Sequence, residues 1–421
     1  MAGSGGSTTR TGAADGDDAR ARLNHWAIAL LGIVTIVAYG SWYYAFGVLF
    51  DPIRLDTGWN EAQLALSFSI GTVLMGVASI AGGRLLDRLG SRFVLTAAGL
   101  GGGGALVATS FADHIVWFIV CAAVGMVFLG GFAFYHVTMA TAVRIHPDDA
   151  GRAIAVLTIW GAFASAIYLP LAAYLVERFE WRDTVRIMAA AIVVVLVGAA
   201  FLLPGAPETD PADPSEPDAP DSGAEPRPPL LRVITATIAT PERRAFTAAV
   251  ALGGLAMSTV LVYQVPTMTA AGLPLGTAAT MAGLRGFAQT FGRVPLSPLV
   301  RWLGSGRALV LAFGAMTVGG GLLAFSGNVP TALAFAAVTG FGIGAFSPLQ
   351  GIKAEELYDR ETLGATMGLY GTFLMVAGAA GPAIAGVLAD TTGDRRLVSI
   401  IVVVAAFGAT LSAARIGDRT T

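Results

Sequence analysis

The sequence predicts an all-helical membrane protein with twelve transmembrane helices in two six-helix bundles. Three observations lead there. Apolar residues fill 55% of the 421 positions and charged residues only 13%, about half the charged fraction of a soluble domain. The mean hydropathy is +0.68, too apolar a balance for a charged shell around a soluble core. Twelve apolar runs each approach or exceed the ~20 residues that cross a bilayer, and one polar break divides them six and six.

The first six predicted spans are His25–Phe50, Glu61–Leu86, Phe93–Phe111, Ile115–Val143, Ala153–Val176 and Thr184–Leu203. The second six are Arg244–Ala271, Thr277–Val300, Ala308–Ser326, Pro330–Leu357, Leu363–Leu388 and Leu397–Ala414. They are too long for barrel strands and lack the polar alternation of a barrel. Many of the 54 glycines fall inside them, as expected where membrane helices pack closely.

Around the spans, residues 1–24 are polar and have no apolar core of a signal peptide, so they read as a disordered cytoplasmic tail. Residues 25–203 form the first bundle and 243–415 the second. The connecting segment 204–242 is rich in Pro, Asp, Glu and small residues and cannot bury apolar surface; it reads as a disordered cytoplasmic linker. A short cytoplasmic tail, 416–421, follows. Placing both termini inside puts eighteen of the Arg and Lys residues in inner segments and six in outer ones, the bias that sets membrane topology. The predicted location is the cell membrane.

Several function classes fall away. The single cysteine, Cys121, has no partner for a disulfide or a cysteine metal site. No basic nucleic-acid surface, Walker lysine motif or nucleophile–base set is present, so neither an ATP-driven pump nor an enzyme is expected, and no cofactor. Gly99-Leu100-Gly101-Gly102-Gly103-Gly104 fits a dinucleotide fingerprint in form, but that pattern has meaning only between a strand and a helix. Inside a span it reads as close helix packing.

The two halves also repeat. Gly83-Arg84-Leu85-Leu86-Asp87-Arg88-Leu89-Gly90-Ser91-Arg92 follows the second span, and Arg301-Trp302-Leu303-Gly304-Ser305 follows the eighth, with Leu-Gly-Ser shared at an offset of 214. Two equal halves in parallel repeat suggest a transporter with a pseudo-two-fold axis along the membrane normal. The Gly-x-Leu-x-Asp-Arg-x-Gly-x-Arg pattern resembles the signature of the major facilitator superfamily, across residues 25 to 415. That resemblance implies the major facilitator fold, alternating access, and a gating role for Gly83, Asp87, Arg88, Gly90 and Arg92. Physically, Asp87 and Arg88 at a helix end can pair with charges and helix termini of the other bundle when the inner side closes. The sequence departs from the family pattern at Ser91 and Arg301, and it lacks the Gly-Pro exchanger motif in the fifth span.

Charges at membrane depth are functional candidates. The eighth span carries Arg285, Gln289 and Arg293; the arginines lie about 12 Å apart along a helix and some 80° apart around it. No acidic residue lies deep in any span to neutralise them, so an incoming anion is the expected partner. Arg293 before Pro295, together with the aromatic first span (Tyr39-Gly40-Ser41-Trp42-Tyr43-Tyr44), resembles the monocarboxylate transporter and oxalate–formate exchanger branch. This makes Arg293 the implied carboxylate anchor, with Arg285 available for a second charge. Tyr39 and Tyr43 share a helix face and can hydrogen-bond a carboxylate. Tyr370 and Gln264 are further cavity candidates, and His136 is a proton-coupling candidate because its ordinary pKa lies near physiological pH. The expected partners are a small organic anion, a proton or counter-anion, and the lipid bilayer, with a monomer as the working unit. A carrier for a drug-like molecule or sugar, or a non-transporting sensor, remains the alternative.

Overall fold

A computed structural model describes residues 26–204, 237–358 and 360–417. The N-terminal tail, most of the linker 204–242 and the last four residues lie outside the described residues, and so do the expectations for them. The described residues form helices and turns, without a strand among them.

Among the described residues twelve long helices run back and forth. They are α1 (Trp26–Thr57), α2 (61–89), α3 (91–109), α4 (Ile115–Ile145), α5 (Ala150–Arg178) and α6 (Trp181–Leu202). The second half holds α7 (Pro241–Ala270), α8 (Leu275–Arg293), α9 (Ser305–Ala324), α10 (Val329–Leu357), α11 (Arg360–Thr392) and α12 (Arg395–Ala413). By length and composition ten continuous helical segments suit a membrane crossing. Two features bring that number to twelve. The 49-residue segment Glu61–Thr109 is two helices, because Gly90 breaks it at φ 75°, ψ 173°. And α8, which carries Arg285, crosses the bundle although it is less apolar than the others.

Gly90 has a counterpart at the predicted offset: Gly304, φ 82° and ψ 160°, separates the short helix Leu296–Leu303 from α9. Both angles lie where a Cβ is disfavoured, so the repeated Leu-Gly-Ser marks the same tight turn in each half. The eighth span is shorter than the expected Thr277–Val300: α8 stops at Arg293 and the chain restarts as a helix at Leu296. Pro295 lies at that joint and has no N–H to continue the ladder. Elsewhere the ends follow local signals. Asn60 and Gln63 form a capping box at the start of α2, Thr240 and Asn328 cap α7 and α10, and Gly58 and Gly393 close α1 and α11 in left-handed conformations.

The packing shows the pseudo-symmetry. Within the first half α2 packs on α4, α3 on α6 and α1 on α5; within the second, α8 packs on α10, α9 on α12 and α7 on α11. Each pair maps onto the other by advancing six helices. Between the halves α2 meets α11 and α5 meets α8, again a related pair, and α1 meets α7 on the axis.

Trp26 and Gly417, the first and last described residues, lie at one end of the bundle, the terminal end; the opposite one is the far end. The halves are fastened at the far end. Arg395 of α12 binds Asp51 of α1 through Nη1 and Nη2 (2.7 and 2.5 Å) and Glu61 of α2 through Nε (2.6 Å). Asp390 of α11 accepts from the Glu61 and Ala62 amides (2.9 and 2.8 Å), an anion on a helix N-terminus. Closer to mid-depth the halves also touch where Gly76 meets Met375 and Phe163 meets Phe287.

Candidate functional site

The polar residues at mid-depth come from four helices, and each is placed by an irregularity or a close approach. In α1 the ladder loosens into a π-helical turn over Tyr39–Tyr44, a feature that recurs at functional sites. In α4 the helix breaks at Ala133 and Phe134, between Ile115–Phe132 and Tyr135–Ile145. The break lets Phe134 and Tyr135 face α1. Tyr39 stacks on Phe134 at 3.7 Å between ring centroids and lies 5.2 Å from Tyr135, and Tyr43 sits 5.7 Å from Phe134 and 5.5 Å from Tyr44. The result is an aromatic wall with several hydroxyls.

Opposite it stands α8. Its backbone is clamped between α5 and α10: a Cβ on Gly286 would collide with the Ser165 hydroxyl, and one on Gly344 of α10 would collide with the Gln289 carbonyl. Such close approaches fix the rotation of α8 and therefore where its arginines sit. Arg285 is only 2% exposed. Its Nε donates to Gln264 Oε1 of α7 at 2.6 Å, and it lies within electrostatic reach of Tyr43 and Tyr44. Arg293, half-buried and two turns nearer the terminal end, donates from Nη2 to Gln289 Oε1 at 3.4 Å and interacts with Tyr135 and Tyr44.

Among the described residues no carboxylate forms an ion pair with either arginine. A buried guanidinium whose side-chain hydrogen bond goes to a neutral amide is poorly compensated, and such a charge costs about 2.5–3.5 kcal/mol at the centre of a membrane helix. Gln264 Nε2 is also buried without a partner. The arrangement can therefore receive an acceptor-rich, negatively charged group.

Of the residues chosen from sequence, Arg285, Arg293, Gln289, Tyr39, Tyr43 and Gln264 come together. Tyr370 does not join them. It is buried in a second cluster, hydrogen-bonded to Tyr358 and packed at 5.0 Å on Phe246. His136 donates from Nε2 to the Gly131 carbonyl at 2.8 Å, an acceptor in the turn that the α4 break leaves short of partners. Tyr44 joins the site without having been chosen as a candidate; its signal was membership of the aromatic first span.

The Gly83–Arg92 motif lies at the terminal end. Asp87 pairs with Arg144 of α4, which also donates to the Leu86 carbonyl at 2.9 Å. Arg92 reaches the Ala200 carbonyl at 3.4 Å and stands over the Phe201 ring, Arg88 is exposed, and Gly83 has open space where a Cβ would be. These contacts stay within the first half.

A family model described as Major Facilitator Superfamily matches residues 31–382, and again residues 246–420. No curated protein matches the sequence. The structure is similar to a point mutant of the nucleoside transporter NupG, with a TM-score of 0.77 at 13% identity over 94% of this chain and 99% of that one. The unmutated NupG structure gives 0.73 at 12%, covering 94% and 98%. A bacterial homolog of the human lysosomal transporter Spinster, inward-facing and unoccupied, gives 0.70 at 12%, covering 94% and 95%. At these identities the likeness shows the fold.

Proposed function

This chain belongs to the Major Facilitator Superfamily, and on that premise we propose that it carries a small organic anion, a monocarboxylate, across the cell membrane by alternating access. The observation that carries the reading is Arg285, a buried guanidinium without a carboxylate partner, with Arg293 two turns away. A carboxylate entering between α1 and α8 offsets the positive charge there and accepts from Arg293, a charge-assisted geometry that suits a guanidinium fork. The hydroxyls of Tyr43, Tyr44 and Tyr135 supply further donors, and the Tyr39–Phe134 stack receives the apolar part of the molecule.

The distribution of Arg and Lys favours cytoplasmic termini. The fastened far end is then the outer one, and substrate exchanges with the cytoplasm in this conformation. Asp87, paired inside its own half here, is free to re-pair across the halves when the terminal end closes. Transport proceeds by symport with a proton or by exchange for a second anion, and a single chain suffices.

The test is uptake into proteoliposomes of a labelled carboxylate panel, with each amide as control and with and without a pH gradient. Carboxylates should accumulate and amides should not. The aromatic wall supports a second reading, a planar neutral solute such as the nucleosides for which the transporter NupG is named. Saturable nucleoside uptake, unaffected by carboxylates, would establish that one instead.

A further inference from the structure

We propose that Glu61 is a proton-binding site that loosens the far-end gate, so that acid on that side favours opening there. The far-end cluster holds three carboxylates, Asp51, Glu61 and Asp390, and its inter-half ion pairs all converge on Arg395. The Asp390 charge is met by the α2 N-terminus. Arg395 gives both terminal nitrogens to Asp51 and Nε to Glu61 Oε1. Glu61 is 7% exposed, and its second oxygen, Oε2, is buried without a hydrogen-bond partner.

A second observation comes from another helix. Tyr263 of α7 is fully buried, its hydroxyl has no partner, and it lies within electrostatic reach of Glu61. Asp51, Glu61 and Asp390 outnumber the two guanidinium groups, Arg54 and Arg395, that face them, and Oε2 is buried without a compensating hydrogen bond. A proton bound to Oε2 removes one negative charge from the cluster and turns that oxygen into a donor. The groups facing Glu61 are Asp51 and Arg54 of α1, Tyr263 of α7, Asp390 of α11 and Arg395 of α12. A cleft of about 400 Å³ lined by Asp51, Arg54, Thr269 and Arg395 opens beside the cluster.

The consequence is mechanical. The Arg395–Glu61 pair ties α12 to α2 across the halves. Neutral Glu61 keeps a hydrogen bond but loses the attraction between charges, leaving Asp51 and Asp390 to hold the far end. The proton moves from water to Oε2, and no other bond forms or breaks covalently. This inference does not depend on which solute is carried.

Spin labels at His114→Cys and Pro330→Cys, both exposed at the far end, in a Cys121→Ala background report the separation of the halves in lipid nanodiscs. Between pH 8 and pH 5 the open-to-closed ratio of the otherwise unaltered protein should rise, by at most about tenfold per pH unit for a single proton. Glu61→Gln should be open-biased at every pH, while Asp51→Asn and Asp390→Asn keep the pH response. A pH-independent separation, a full response in Glu61→Gln, or a response that follows sodium at fixed pH would overturn the assignment. Should Glu61→Gln fail to insert, the aspartate variants decide: the proposal stands if both retain the response and falls if either abolishes it.

Discussion

Replacing Arg285 and Gln264 together, as Arg285→Met with Gln264→Leu, should make the protein more stable while abolishing anion uptake. The magnitude follows from what each side chain has. Arg285 is 2% exposed and donates from Nε to Gln264 Oε1 at 2.6 Å. Its burial costs about 2.5–3.5 kcal/mol, and a hydrogen bond to a charged group returns about 1.5–3 kcal/mol. Gln264 also leaves Nε2 unsatisfied, a further penalty of about 1–3 kcal/mol. Removing both partners lifts the charge and amide penalties and forfeits one bond, a net gain of about 0.5–5 kcal/mol, centred near 3 kcal/mol, on those terms. Arg285→Met alone leaves the amide buried with neither of its polar atoms partnered, so it should be less stable than the double variant. The assay is unfolding in detergent, with uptake measured on the same preparations. A double variant less stable than the parent by more than about 1 kcal/mol, or one that still takes up carboxylates, would show that Arg285 is held for structure rather than for an anion.

Two other perturbations probe the scaffold. Gly344→Ala places a methyl against the Gln289 backbone and should cost about 1–3 kcal/mol as overpacking, with a raised KM because α8 is displaced; an unchanged melt and KM would mean that α8 is not held by this contact. Asp87→Asn breaks an exposed pair with Arg144, for which stability should change by no more than about 1 kcal/mol. It should slow turnover while leaving substrate affinity within a few-fold, since it alters the balance of states; a large affinity loss at normal turnover would contradict the gating role.

Much of the fold was legible because membrane helices are written locally. A run of apolar residues, a glycine that must turn at positive φ, and a proline that stops a ladder each act over a few positions. Gly90 and Gly304 could thus be matched from Leu-Gly-Ser alone. Part of the candidate site was legible for the same reason, since a mid-span arginine is costly wherever its helix goes. What could not be read depends on how distant helices meet. Tyr135 enters the aromatic wall only because α4 breaks at Phe134, and Tyr370 turns away to Tyr358. Asp51 follows the first predicted span and Arg395 precedes the twelfth, and neither was a candidate from sequence. Their pairing joins residues 344 positions apart, and nothing in either segment announces it.

The central claim is an anion site built on arginines, and equilibrium binding tests it without requiring transport. Isothermal titration of the purified protein with a monocarboxylate, and with its amide, compares the parent with Arg293→Ala. Losing one side of a buried charge-assisted pair costs about 2–5 kcal/mol, so affinity should fall about thirty- to several-thousand-fold, and the amide should not bind the parent at all. Equal binding of acid and amide, or unchanged carboxylate affinity in a folded Arg293→Ala variant, would contradict the account.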